Sequence, residues 1–179
     1  MHSIFSTEER IEILKATICK TTPISVNSIA AKLKLSKGLV SKYLDVLAKE
    51  GVVKKADGKY LVVDSALTKG IKVLLNIEQI NLTLFKKFAF VEAVGLYGSC
   101  AKGENTEESD IDLWIKVKEV SDQKAASLTA VLRKIIKNVK PLLLTAKKIE
   151  KMKKEDELFY HSLAFGSIIL YGDKDGIQL

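Results

Sequence analysis

Cysteine and histidine are both scarce in this chain, and each shortage excludes something. Two cysteines, Cys19 and Cys100, far apart in sequence, cannot form a disulfide framework or a Cys-x-x-Cys zinc site. Two histidines, His2 and His161, leave a Ser/His/Asp triad or a histidine-based metal centre almost without material. His2 is expected to be solvated, and His161, beside Phe159 and Tyr160, to be structural. No apolar run reaches the roughly 18 residues that a membrane helix needs. The N-terminal stretch Met1-His-Ser-Ile-Phe-Ser-Thr-Glu-Glu lacks the basic start and apolar block of a signal peptide. A soluble, cytoplasmic protein is the expectation.

What is present is a chain of 179 residues, 47% hydrophobic, with a net charge of +7. That length buries a real core and accommodates one domain or two small ones. Residues 1–60 hold 11 Lys/Arg against 6 Asp/Glu, whereas residues 61–179 hold 18 against 16. The excess positive charge lies in the first third, which suits a polyanion partner as well as a merely solvated surface.

The stretch from Val94 to Val117 carries the chemistry. It reads as a strand, a glycine turn, a short helical loop and a second strand. Along that second strand Ile111, Leu113 and Ile115 share one face and Asp110 and Asp112 the other, since successive strand side chains alternate. The two carboxylates therefore stand side by side, about 7 Å apart at Cα. Such a pair repels itself unless a cation intervenes, and oxygen-only ligands suit Mg²⁺ or Mn²⁺. Ahead of it, Gly98 permits a sharp turn, Ser99 offers a hydroxyl and an N–H, and Lys102 adds a mobile positive charge. A metal-bridged triphosphate is the ligand this combination suggests. Trp114, on the carboxylate face, is either a base-stacking ring or core, and Cys100 either a thiol of lowered pKa or a small filler.

Gly98-Ser99, ten residues, then Asp110-Ile-Asp112 resembles the signature of the DNA polymerase β-like nucleotidyltransferases, closest to their minimal prokaryotic branch. The resemblance spans roughly Phe88 to Tyr171. It implies transfer of a nucleoside monophosphate from an NTP to a hydroxyl acceptor by a two-metal mechanism. Asp110 and Asp112 are then catalytic metal ligands, and Gly98, Ser99 and Lys102 bind nucleotide. In that family a third carboxylate stands on the next strand. Here that strand is Val139 to Thr145 and holds no acid, and Lys140 or Leu142 occupies the corresponding position. Glu92 or an acid of the substrate is the available stand-in. The alternative is a DNA-binding regulator whose transferase-like domain binds nucleotide or dimerises without catalysis.

The N-terminal third reads as three helices and a hairpin. Thr7 caps the first helix, with Ile11, Leu14 and Ile18 inward; Ser25 to Leu35 is the second, with Ile29, Ala30 and Leu33 inward. Ser36 caps a third, Leu39 to Glu50, with Leu39, Tyr43, Val46 and Leu47 or Leu44 inward, and Gly51 closes it. Val52 to Val63 turns back at Asp57-Gly58, a strong hairpin signal. The order resembles a winged helix-turn-helix domain, which implies double-stranded DNA as partner or else a docking role. Ser36, Lys37, Ser41 and Lys42 on the third helix, with Asp45 beside them, and Lys54, Lys55 and Lys59 on the wing are the candidate DNA contacts.

The fold expected is thus α/β (α+β): a winged helix at 1–63, a connecting helix at 64–87, and a mixed sheet flanked by helices at 88–179. The broad apolar surface of 64–88, from Leu67 to Phe85, has two uses open to it, a homodimer face or burial in the second domain.

Overall fold

A computed structural model describes residues 3–172. The chain divides into two compact units, Met1–Lys72 with Asn105–Glu108, and Val73–Glu104 with Ser109–Leu179.

In the first unit, helices α1 (Glu8–Thr17), α2 (Val26–Leu33) and α3 (Lys37–Lys49) precede an antiparallel hairpin of β1 (Val53–Ala56) and β2 (Lys59–Val62). Side-chain caps start the helices where the sequence signals them: the Arg10 N–H donates to Thr7 and the Leu39 N–H to Ser36. The apolar stripe of α3 is rotated from its expected phase. Val40, Tyr43, Leu44 and Leu47 are buried, whereas Leu39 and Val46 are only half-buried. On α1 the buried pair is Ile13 and Leu14, with Ile18 at its end, and Ile11 sits at the margin. Neighbouring apolar positions on a helix differ by about 100°, and only the packing partner selects between them. The hairpin turns at Asp57 (φ 48°) and Gly58 (φ 72°), two left-handed residues in the arrangement that matches strand twist. Tyr60 ties the wing inward: its backbone bridges Ile24, and its hydroxyl donates to Asp45 at 2.6 Å.

Helix α4 (Ala66–Glu78) starts at Ser65, whose hydroxyl accepts the Thr68 N–H. The continuous helix expected over 64–88 stops at Glu78. Asn81 then accepts the Thr83 N–H and opens a separate 3-10 turn at Leu82–Lys87. A capping side chain inside an apolar run ended what periodicity alone would have continued.

The second unit is built on a four-stranded sheet ordered β5-β4-β3-β6, from β3 (Val91–Tyr97), β4 (Ile111–Val117), β5 (Val139–Leu144) and β6 (Ile168–Tyr171). β3 is antiparallel to both β4 and β6, and β4 is parallel to β5, so the sheet is mixed as expected. Between them lie the short α5 (Gly98–Lys102), α6 (Asp122–Ile135), α7 (Ala146–Glu155) and α8 (Glu157–Gly166). A parallel pair needs a crossover, and α6 provides it. Ile111, Leu113 and Ile115 of β4 face one core with Leu128 and Leu132 of α6. Trp114 faces the other, with Ala93, Leu144, Ile149, Tyr160 and Leu163. Trp114 is 1% exposed and lies so close over Gly95 that a Cβ there has no room. Of the two uses open to Trp114, the structure takes core. The surface of 64–88 is also largely core: Ile80, Leu84 and Phe85 are buried in this unit, while Leu74 is exposed.

Candidate functional site

The site residues fall at one end of the sheet, where three strands are held in register. Tyr97, the last residue of β3, opposes Asp112 on β4, and Asp112 opposes Lys140 on β5. Gly98 follows Tyr97 with φ +71°, and a Cβ placed there would lie 2.7 Å from an Asp112 carboxylate oxygen. The backbone thus turns against the Asp112 side chain in a conformation that favours glycine, and a Cβ there would force the Asp112 carboxylate to shift. Gly98, Ser99, Asp110 and Asp112 are brought together as the spacing suggested.

Two buried contacts hold this turn in place. Cys100, 2% exposed, donates its thiol to the Asp110 carbonyl at 3.3 Å, which links α5 to the start of β4. The Asn76 side-chain amide, also buried, donates to the Cys100 carbonyl at 2.9 Å. Cys100 is therefore the small filler of the two roles open to it. Asn76 had no signal in the sequence beyond a polar residue on the inner side of an amphipathic helix. Lys102 ends α5 exposed, and Gly103 follows in the left-handed conformation.

Electrostatically the acidic pair is not left bare. Lys140 takes the position opposite Asp112, and its ammonium lies 2.5 Å from an Asp110 carboxylate oxygen. Of the two residues that stood for a third carboxylate, Lys140 is the one facing the acids, while Leu142 packs beside Trp114. Its bond to Asp110, then the charges of Asp110 and Asp112, hold the Lys140 ammonium above the usual lysine range. Burial pushes the Asp112 carboxyl up, with Asp110 adding to this and Lys140 opposing it. Burial also raises Tyr97, whose ring meets Phe159 edge to face. Both members of the Lys140–Asp110 pair stay substantially exposed, at 66% and 39% of their side chains, so the bond is readily exchanged.

Glu92 cannot stand in for the missing acid. It is the bulged residue of β3, exposed, at the end of the strand remote from Tyr97. Five strand steps separate them, about 16 Å. Among the described residues no cluster of three or more His, Cys, Asp or Glu side chains gathers. Asp110 and Asp112 fit a single hard divalent cation; the donor set does not fit a pair of ions.

In the first unit Ser36, Lys37, Lys42, Lys54, Lys55 and Lys59 are exposed, and Ser41 is half-buried. Two of these are already occupied. The Ser36 hydroxyl caps α3, and Lys55 lies 3.7 Å from Asp45 and over the Tyr60 ring. Asp45 is thereby a strut between α3 and the wing. His161, on α8, lies 3.4 Å from Glu157 and stacks on Phe165.

The chain belongs to the nucleotidyltransferase domain family, whose sequence model matches residues 75–164. Residues 7–55 match the model described as bacterial regulatory protein, arsR family, so the N-terminal helix-turn-helix is of that type. No curated protein matches the chain. Among solved structures, the tri-AMPylated Shewanella oneidensis HEPN toxin in complex with MNT antitoxin is similar at 15% identity, over 57% of this chain and 75% of that one, with a TM-score of 0.38. A mutant of the toxin-antitoxin pair MntA-HpeT is 12% identical over 52% and 72%, with a TM-score of 0.40. A Sulfolobus solfataricus protein described as a candidate nucleotidyltransferase is 21% identical over 65% and 96%, with a TM-score of 0.41.

Proposed function

We propose that the second unit binds a nucleoside triphosphate and transfers its nucleoside monophosphate to a hydroxyl acceptor, releasing pyrophosphate. The observation that carries this reading is the Gly98 turn lying against Asp112, a juxtaposition of phosphate cradle and carboxylate that a Cβ would destroy. Gly98 and Ser99 receive the triphosphate, with Lys102 as a mobile counter-charge, and Asp110 and Asp112 hold Mg²⁺ or Mn²⁺. A bound cation there neutralises phosphate charge. What the chain itself contributes is position: Cys100 and Asn76 fix the turn against the strand, so that phosphate oxygens and carboxylates meet at a set distance.

The first unit binds double-stranded DNA, with Lys37 and Lys42 on α3 and Lys54 and Lys59 on the wing reaching phosphates, and Ser36, Ser41 and Lys55 at the margin. A homodimer accords with a helix-turn-helix of this type, since paired half-sites need paired readers.

A second reading is favoured by one observation, the Lys140 ammonium on Asp110. In it the second unit binds nucleotide or assembles copies without catalysis, and the first unit is the output. Titration with ATP, CTP, GTP and UTP, with and without Mg²⁺, beside Asp110→Asn and Asp112→Asn, tests both. Metal-dependent binding that both variants lose supports the site, and release of pyrophosphate separates transfer from binding. Equal binding by the variants refutes the assignment of the acidic pair.

A further inference from the structure

The acidic pair contains a cation of its own. Lys140 comes from β5, the strand on which a third metal-ligating acid would have to stand, and its register places it directly opposite Asp112. Its ammonium reaches past that partner to Asp110. An ammonium is a compact single charge with three donors and no acceptor. It can remain on a carboxylate and still donate to a phosphate oxygen, which a second carboxylate could not do. The pair is exposed to solvent, so the ammonium can shift from Asp110 to a ligand with little to lose. No other acid of β3 or β5 is near enough to restore a second metal position: β5 has none, and Glu92 lies at the far end of β3.

We propose that Lys140 is a built-in counter-ion that takes the place of one divalent cation, so that the site holds a single metal ion and Lys140 itself contacts the triphosphate. This rests on the nucleotide-site reading above and assigns a further binding residue to it. Two effects of opposite sign follow from removing the ammonium. A divalent ion binds the bare acidic pair more tightly, because a like charge a few ångström away is gone; in a water-like dielectric the gain is about tenfold. Nucleotide without metal binds more weakly, because a cation at the acidic pair is lost. A residue with only a structural role would not move the two affinities in opposite directions.

The test uses the full chain and four proteins: the native one, Lys140→Met, Lys140→Asp and Asp112→Asn. Mn²⁺ binding is followed by loss of the free-ion paramagnetic resonance signal, and ATP binding in EDTA by calorimetry. Circular dichroism checks that each variant is folded. Lys140→Met is expected to bind Mn²⁺ about tenfold tighter and to bind metal-free ATP several-fold more weakly. Lys140→Asp is expected to take up a second Mn²⁺. Unchanged or weakened Mn²⁺ binding in Lys140→Met overturns the proposal, as does an absence of Mn²⁺ binding in both proteins, since unmasking should reveal the position. If Asp112→Asn abolishes Mn²⁺ binding while Lys140→Met changes neither affinity, only the role of Lys140 fails. If Asp112→Asn changes nothing either, the nucleotide site fails with it.

Discussion

Gly98→Ala is the sharpest single perturbation of this molecule, because two independent costs meet at one Cβ. Gly98 has φ +71°, and an L-residue in the left-handed region costs roughly 1–2 kcal/mol. The added Cβ also lies 2.7 Å from an Asp112 carboxylate oxygen, closer than real Cβ contacts allow. That oxygen is the far end of a side chain that rotates, so the clash is relieved by turning the carboxylate away, at little further cost in stability but with loss of its place beside the turn. The substitution should therefore lower thermal stability modestly, about 2–8 °C at roughly 2–4 °C per kcal/mol for a chain of this size, and remove nucleotide binding almost completely. Gly70→Ala is the matching control. Gly70 lies within α4 with open space around it, and there alanine should stabilise by roughly 0.5–1 kcal/mol. Thermal unfolding by circular dichroism and nucleotide titration by calorimetry read both quantities. If Gly98→Ala keeps the native melting temperature and the native affinity, the turn is not pressed against Asp112 and the reasoning fails.

Other consequences are as direct. Gly95→Ala should destabilise by roughly 1–3 kcal/mol in chemical denaturation, since a Cβ there enters the Trp114 ring; Trp114→Ala should cost roughly 3–5 kcal/mol through the cavity it leaves. The Asp112 carboxyl is raised by burial, so its ionised form opposes folding above its folded-state pKa. Asp112→Asn should accordingly raise the melting temperature at pH 7, an advantage that fades as pH falls through the raised carboxyl pKa and is absent below about pH 3, where both states are protonated. For the first unit, Lys42→Glu with Lys59→Glu should weaken duplex DNA binding across sequences and flatten its salt dependence by about 2 in the log–log slope; an unchanged slope in fluorescence anisotropy would show that neither lysine meets a phosphate.

Much of this was legible in the residues alone because it is local. A glycine before Ser99, two aspartates at strand spacing, Ser36 and Thr7 before helical runs, and Asp57-Gly58 between short strands each act within a few residues of themselves. Those signals determined the motif and the mixed sheet with flanking helices. The phase of the α1 and α3 stripes was not legible, since Leu39 and Val40 are equally apolar and only packing against neighbours chose between them. Nor was the interruption at Asn81, where one side-chain acceptor outweighed an apolar period that continued past it.

The sequence by itself showed that a third carboxylate is missing from the strand Val139 to Thr145. Only the tertiary structure decided what replaces it, because register between parallel strands separated by a whole helix is a long-range property. Pairing brought Lys140 opposite Asp112, set its ammonium on Asp110, and swung Trp114 into the core over Gly95. Local chemistry chose the residues, and strand pairing chose which of them meet.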